Sequence, residues 1–429
     1  MKIVVSMALR VCVWAICLAT AGRAVAADSL VTPGSRVAVV GDSITEQKLY
    51  SKYIECYLLA CSGVPDVKVF QYGWSGERAP GFAGRLENDL AGFKPTVVTL
   101  CYGMNDGSYQ PYNDQIGGAY ESAMRDILKK LPTVGVKSVV VGSPGAVDTK
   151  FFGTRPAFGT RNSAEGYNDN LAHLRDIDRK LATEYKQAFA NVHDAMIDSM
   201  KKAKATLGDD YDVCGRDGFH PGPNGQLAMA YAFLKGLGVD GNIGEITVDL
   251  KGASTASNGH KVLSSEGGKV ELESSRWPFC FEGDDKSSGG TRSITPFLPF
   301  NEDLNRLTLK VKGLTGANAK VTWGATTKEF SREQLEKGVN LNAEFAATPF
   351  DAAFGKLSGA VANKQNFETY LIKEVVTRQR FILQELKGDE EFVAANKLIA
   401  TKLHGRQAQL DAEARATLVP VKHVISISQ

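Results

Sequence analysis

Cysteine and histidine are scarce in this sequence, and its charges nearly balance. Seven cysteines in 429 residues, none at a zinc-ligand spacing, exclude a zinc module and a disulfide-stapled mini-domain. Fifty basic against 48 acidic residues leave a net charge of +2, and nothing in it suggests a nucleic-acid or anionic-membrane partner. No segment recurs at the 20–50-residue period of a solenoid. Long apolar runs are missing as well. Met7–Ala21 comes nearest, but Arg10 interrupts it, leaving it short of the ~20 residues a spanning helix needs.

What that first stretch does contain is ordered. Lys2 and Arg10 supply a charged start, an apolar run follows, and Ala24-Val25-Ala26 precedes Ala27-Asp28. This reads as a secretory signal peptide over residues 1–26, so the mature protein is expected outside the cytoplasm, secreted or periplasmic, without membrane insertion. The leader holds three basic and no acidic residues, so the remainder carries 47 basic against 48 acidic, a net charge of −1. Five cysteines remain: Cys56, Cys61, Cys101, Cys214 and Cys280. Cys56 and Cys61 lie five apart on a predicted helix and point to different faces, so they should not bridge each other.

From Val37 to about Val239, β-branched runs alternate with amphipathic ones. The runs Val37–Val40, Val67–Tyr72, Val97–Tyr102 and Ser138–Ser143, with a weaker one at Asn191–His193, predict strands. Helical patterns fill Tyr50–Cys61, Gly81–Gly92, Ile116–Leu131, Asn168–Phe189 and Pro223–Leu237. Continuous apolar strands separated by helices predict a three-layer α/β/α domain around a parallel sheet, over residues 27–240. Residues 241–345 alternate with period two between Gly/Ser/Thr clusters, predicting an antiparallel, sandwich-like β region. A helical segment is expected over 346–415, and residues 416–429 read as a strand returning to the β-rich region.

Ligands of such sheets bind at the C-terminal ends of the strands. Gly41-Asp42-Ser43 follows the first strand, Gly73 the second, and Gly103-Met104-Asn105-Asp106 the third; Asp217-Gly218-Phe219-His220 precedes the final helix. A Gly-Asp-Ser tripeptide alone is weak, since chance supplies one in roughly every ten chains of this length. Four polar loops at one sheet edge say more. Ser43 is a nucleophile that needs a base, His220 supplies an imidazole suited to that task, and Asp217 can orient it. Backbone N–H groups of Ser43 and Gly73 with the Asn105 amide would form an oxyanion hole. Asp42 and Asp106 are expected to brace their turns by accepting backbone N–H bonds.

In order and spacing these blocks resemble the SGNH (GDSL-type) hydrolase family over roughly Arg36–Leu237. The resemblance implies a flavodoxin-like fold and a Ser43–His220–Asp217 esterase with Ser43, Gly73 and Asn105 at the oxyanion, working without metal or cofactor. Gln71 stands where the family often has asparagine, two residues before the glycine. Trp74, Tyr109 and Tyr112 flank motif residues, and Arg155 and Arg161 lie in a Gly-rich loop after the fourth strand; Trp74, Tyr109, Arg155 and Arg161 are candidate substrate contacts. The expected substrate is a small acyl ester, O-acetyl first, on a carbohydrate or other small molecule. A lipid esterase, lysophospholipase or thioesterase of the same fold is the enzymatic alternative, and a non-catalytic carbohydrate-binding protein the other.

Overall fold

The computed structural model describes residues 29–153 and 163–429, so the expected leader, Arg155 and Arg161 lie outside the described residues. Strands β1 (Arg36–Gly41), β2 (Lys68–Gly73), β3 (Val97–Cys101), β4 (Ser138–Gly142) and β5 (Ala188–Ala190) form one parallel sheet in the order β2-β1-β3-β4-β5. Alternate residues of β1 enter opposite cores: Val37 and Val39 one, Ala38 and Val40 the other. Helices cover both faces, which is why these strands are apolar throughout rather than alternating. The sheet is the expected flavodoxin-like α/β/α arrangement.

One strand differs from its sequence reading. The fifth is Ala188–Ala190, not Asn191–His193, because Asn191 caps the helix Val192–Leu207 by accepting the Asp194 N–H at 3.3 Å. The preceding helix is likewise Ala164–Glu184, capped by Ser163.

Beyond the sheet come β6 (Asn242–Asp249), β7 (Thr255–Ala256), β8 (His260–Glu266), β9 (Lys269–Ser274), β10 (Arg306–Lys312), β11 (Asn318–Trp323), β12 (Thr326–Ser331), β13 (Val339–Asn340) and β14 (Val421–Ser428). They form two sheets, β13-β10-β6-β7 and β12-β11-β14-β9-β8. All pairs but one are antiparallel. β6 and β10 run parallel, because the long crossover through β7–β9 returns the chain in its original direction. β14 lies between β11 and β9, so the helices before it are an insertion in this β-rich domain. Ile246, Leu309, Leu272, Trp323 and Ile425 share one buried cluster with Val37 and Val39 of the first sheet. The Tyr57 hydroxyl donates to the Leu304 carbonyl at 2.7 Å and the Trp277 N–H to Ala60 at 2.8 Å.

A buried polar chain ties the two β sheets together. The Trp323 indole N–H donates to His423 Nδ1 at 3.2 Å, which leaves His423 Nε2 to donate to Ser274 Oγ at 2.9 Å. Ser274 then donates to His260 Nδ1 at 2.8 Å, and His260 Nε2 to the Ile243 carbonyl at 3.0 Å. His423 is neutral in this arrangement, since a second ring proton on Nδ1 would face the Trp323 N–H. Burial, then the neighbouring His260, pushes His423 down to about 4. Its contribution to stability is present above the free-histidine value of about 6.5 and is lost as pH falls from there toward 4, by up to about 3 kcal/mol. Asp42 and Asp106 act in the opposite sense, because burial pushes them up to about 7 and 6. The difference between wild type and His423→Gln therefore isolates the histidine. Urea midpoints should show the wild type losing more stability than the variant between pH 6.5 and 4.5; parallel curves would contradict this.

The inserted helices cover the open side of β2. Asp351–Tyr370 continues through a π-helical segment, Leu371–Thr377, and after a short helix Glu390–Ala416 returns beside it. An edge strand leaves backbone groups unpaired, and here side chains take them. Arg415 donates to the Val67 carbonyl, Lys364 Nζ to the Val69 carbonyl at 2.6 Å, and Glu368 accepts the Gln71 N–H at 3.1 Å. Lys364 is fully buried between Glu55 and Glu368, each at 2.8 Å. Burial opposes its charge, but the two carboxylates more than offset that and hold the ammonium protonated. Among the described residues no helix is long and apolar enough to cross a membrane, and the five cysteines are buried and unbridged.

Candidate active site

β1 ends at Gly41 and the chain turns at once into the short helix Ser43–Glu46. Asp42 caps it, its carboxylate accepting the Ile44 N–H at 2.9 Å. Ser43 is thereby placed at the C-terminal edge of the sheet, its Oγ 2.8 Å from His220 Nε2. On the other side of the ring, His220 Nδ1 lies 2.7 Å from Asp217 Oδ2. A carboxylate only accepts, so Nδ1 carries the proton and Nε2 is free to accept from Ser43. Asp217 Oδ1 also takes the N–H groups of Phe219 and His220 at 3.1 and 3.0 Å. Half-burial pushes the Asp217 carboxyl up, but the imidazole and these backbone donors outweigh it and hold the group below the usual carboxylate value. The turn carrying both residues needs its glycines. Gly215 and Gly218 have φ of +76° and +89°, and a Cβ would strike the His220 carbonyl or the Phe152 backbone.

Gly73 closes β2 against the Ser43–Glu46 helix so tightly that a Cβ there would collide with the backbone of Thr45 and Glu46. Gln71 fastens the same contact, donating from Nε2 to the Thr45 carbonyl at 2.7 Å while its Oε1 accepts from Thr369 at 2.9 Å. Glu46 pairs with Lys373 at 2.8 Å and accepts the Ser75 N–H. Asn105 follows β3, its Nδ2 donating to the Glu77 carbonyl at 3.0 Å and lying 3.4 Å from Asp42. Asp106 holds this loop, accepting N–H groups of Ala79 and Gly103 at 2.9 and 3.0 Å.

Ser43, Gly73, Asn105, Asp217 and His220 are thus brought to one sheet edge. Trp74 is half-buried, with Arg85 at 4.8 Å and Lys373 at 5.0 Å from its ring centre. Tyr109 spends its hydroxyl on Asn105 at 2.8 Å, and Tyr112 stacks on His173 at 4.2 Å. Three supporting residues escape the sequence reading. Buried Arg85 grips Glu77 and Asp89 at 2.7 Å, Tyr102 donates to Glu77 at 2.6 Å, and Lys373 reaches Glu46 from the C-terminal helices. Nothing in their local sequence marks them, since their partners are set by loop packing.

A parallel α/β sheet with a serine, histidine and carboxylate at its C-terminal edge defines a serine hydrolase of carboxylic esters. Residues 39–228 match the GDSL-like Lipase/Acylhydrolase family, and the chain carries a domain of that family. No curated protein matches the chain. Among solved structures, the gut microbial diltiazem-metabolizing enzyme BT4096 is similar over 93% of this chain and 98% of its own, at 19% identity and a TM-score of 0.69, so the likeness extends through the β-rich domain. An acetylxylan esterase from Geobacillus stearothermophilus aligns with 48% of this chain and 96% of its own, at 21% identity and a TM-score of 0.38. An alpha/beta hydrolase from the metagenome of Lake Arreo, Spain, aligns with 49% and 98%, at 19% identity and a TM-score of 0.38.

Proposed function

We propose that this protein is an exported esterase that removes small acyl groups, acetyl foremost, from carbohydrate hydroxyls. The observation that carries the chemistry is the continuous relay from Ser43 through His220 to Asp217. Ser43 Oγ attacks the ester carbonyl as His220 Nε2 takes its proton, and the imidazolium formed is stabilised by Asp217. The tetrahedral oxyanion meets the Ser43 and Gly73 N–H groups and Asn105 Nδ2. Collapse expels the alcohol, protonated by His220, and leaves an acyl-Ser43. A water activated by the same imidazole then releases the carboxylic acid and restores the serine. No step in this sequence calls for a metal or cofactor.

The substrate class rests on weaker supports. Tyr109, Phe152, Tyr167 and Phe219 pack ring against ring beside Asn105, which favours a short acyl group. Trp74 is partly exposed next to Gly73, and an aromatic side chain at the rim of the site favours contact with a sugar ring. The leader-like N-terminus favours export. Ester hydrolysis across an acyl series should fall by roughly tenfold or more from C2 to C8, and acetylated glycans should release acetate. Activity rising to C8 and beyond would favour the lipid-esterase alternative instead.

A further inference from the structure

We propose that Tyr109 is a positioning residue for the oxyanion hole, acting through the side chain of Asn105; this rests on the esterase reading above. The orientation of the Asn105 amide follows from its partners. The Glu77 carbonyl can only accept, so Nδ2 must face it, and Oδ1 is left to accept from the Tyr109 hydroxyl at 2.8 Å. The other Nδ2 hydrogen makes only a long contact, 3.4 Å, with Asp42 Oδ2, and it is the one available to the substrate oxyanion. A donor on Oδ1 polarises the amide and strengthens that N–H, besides preventing the side chain from turning its oxygen toward the negative charge.

The chain goes to some expense to put Tyr109 there. Ser108 and Tyr109 both have left-handed backbone, φ +58° and +53°, a conformation that disfavours side chains and clusters at functional sites. This pair of residues folds the loop back, so that Tyr109 meets a residue four positions earlier. Buried Asn170 staples the bend, donating to the carbonyls of Gly107 and Gln110 at 3.0 and 2.7 Å. The Tyr109 ring is fixed by Tyr167 and Phe219, each with its centre 5.3 Å away. Burial, then the charges of Asp42 and Asp217, raises the phenol's pKa above its ordinary value, which favours the protonated, donating form.

Tyr109→Phe keeps the ring and its packing and removes only the hydroxyl. If Tyr109 positions Asn105, kcat falls about tenfold, equivalent to ~1.4 kcal/mol, with KM changed less than about twofold. Affinity for an alkyl boronic acid, which forms a tetrahedral adduct on the serine, falls by the same factor. In an Asn105→Ala background the Tyr109→Phe change has no further effect, because its route to the oxyanion is already gone. Wild-type kcat in Tyr109→Phe, or losses that multiply in the double variant, would overturn the proposal. Its failure is separable from that of the esterase reading: full activity in Ser43→Ala sinks the latter, whereas a dead Ser43→Ala with a silent Tyr109→Phe sinks only this inference.

Discussion

Ser43→Ala should lower kcat for ester hydrolysis on the order of 10⁵- to 10⁶-fold, while KM changes little and the fold stays intact. The size follows from the role: without Oγ there is no acyl-enzyme, and His220 with Asp217 has no proton to move. Residual turnover would come from the oxyanion donors alone, which supply roughly 10³- to 10⁴-fold over water. Ser43 leaves no structural debt, since among the described residues its side chain bonds only to His220 and the helix cap belongs to Asp42. Melting temperatures of the two proteins should therefore agree within a few degrees. Comparable rates in variant and wild type would contradict the assignment of the nucleophile.

The second large effect lies far from the chemistry in sequence. Lys364→Met should destabilise the protein by about 3–5 kcal/mol, because it strands Glu55 and Glu368 without their counter-charge in a fully buried site. It also removes the donor to the Val69 carbonyl, and it loosens the carboxylate that accepts the Gln71 N–H two residues before Gly73. The triple change Lys364→Met, Glu55→Gln, Glu368→Gln should recover part of the loss, since no unpaired charge then remains. Urea unfolding of the three proteins decides the matter. A single variant within 1 kcal/mol of wild type would mean that the helices merely lie against β2.

That network shows where sequence reading runs out. The five residues of the site stand out because each follows a strand or precedes a helix in a loop of turn residues, and such loops share one sheet edge by topology. The first four strands of that sheet are equally legible from their unbroken β-branched runs. β5 was displaced because a capping asparagine, Asn191, sits inside an apolar run and its hydrogen bond outweighs the pattern. The parallel pairing of β6 with β10 could not be read, since alternation gives the period of a strand and not the direction of its neighbour. Lys364, nearly 300 residues from Val69, looked like one more charge on a helix; only the fold puts it against an open strand edge. Tyr109 was visible as an aromatic beside a motif, but its bond to Asn105 depends on left-handed backbone at two non-glycine residues, which composition does not announce.

Catalysis by this site requires that Ser43 become covalently acylated. Treating the native protein with a fluorophosphonate and mapping the adduct by peptide mass spectrometry tests it most directly. A single phosphonyl group on Ser43 is expected, formed in step with loss of ester hydrolysis. Modification of a different residue, or full inhibition with Ser43 unmodified, would contradict it.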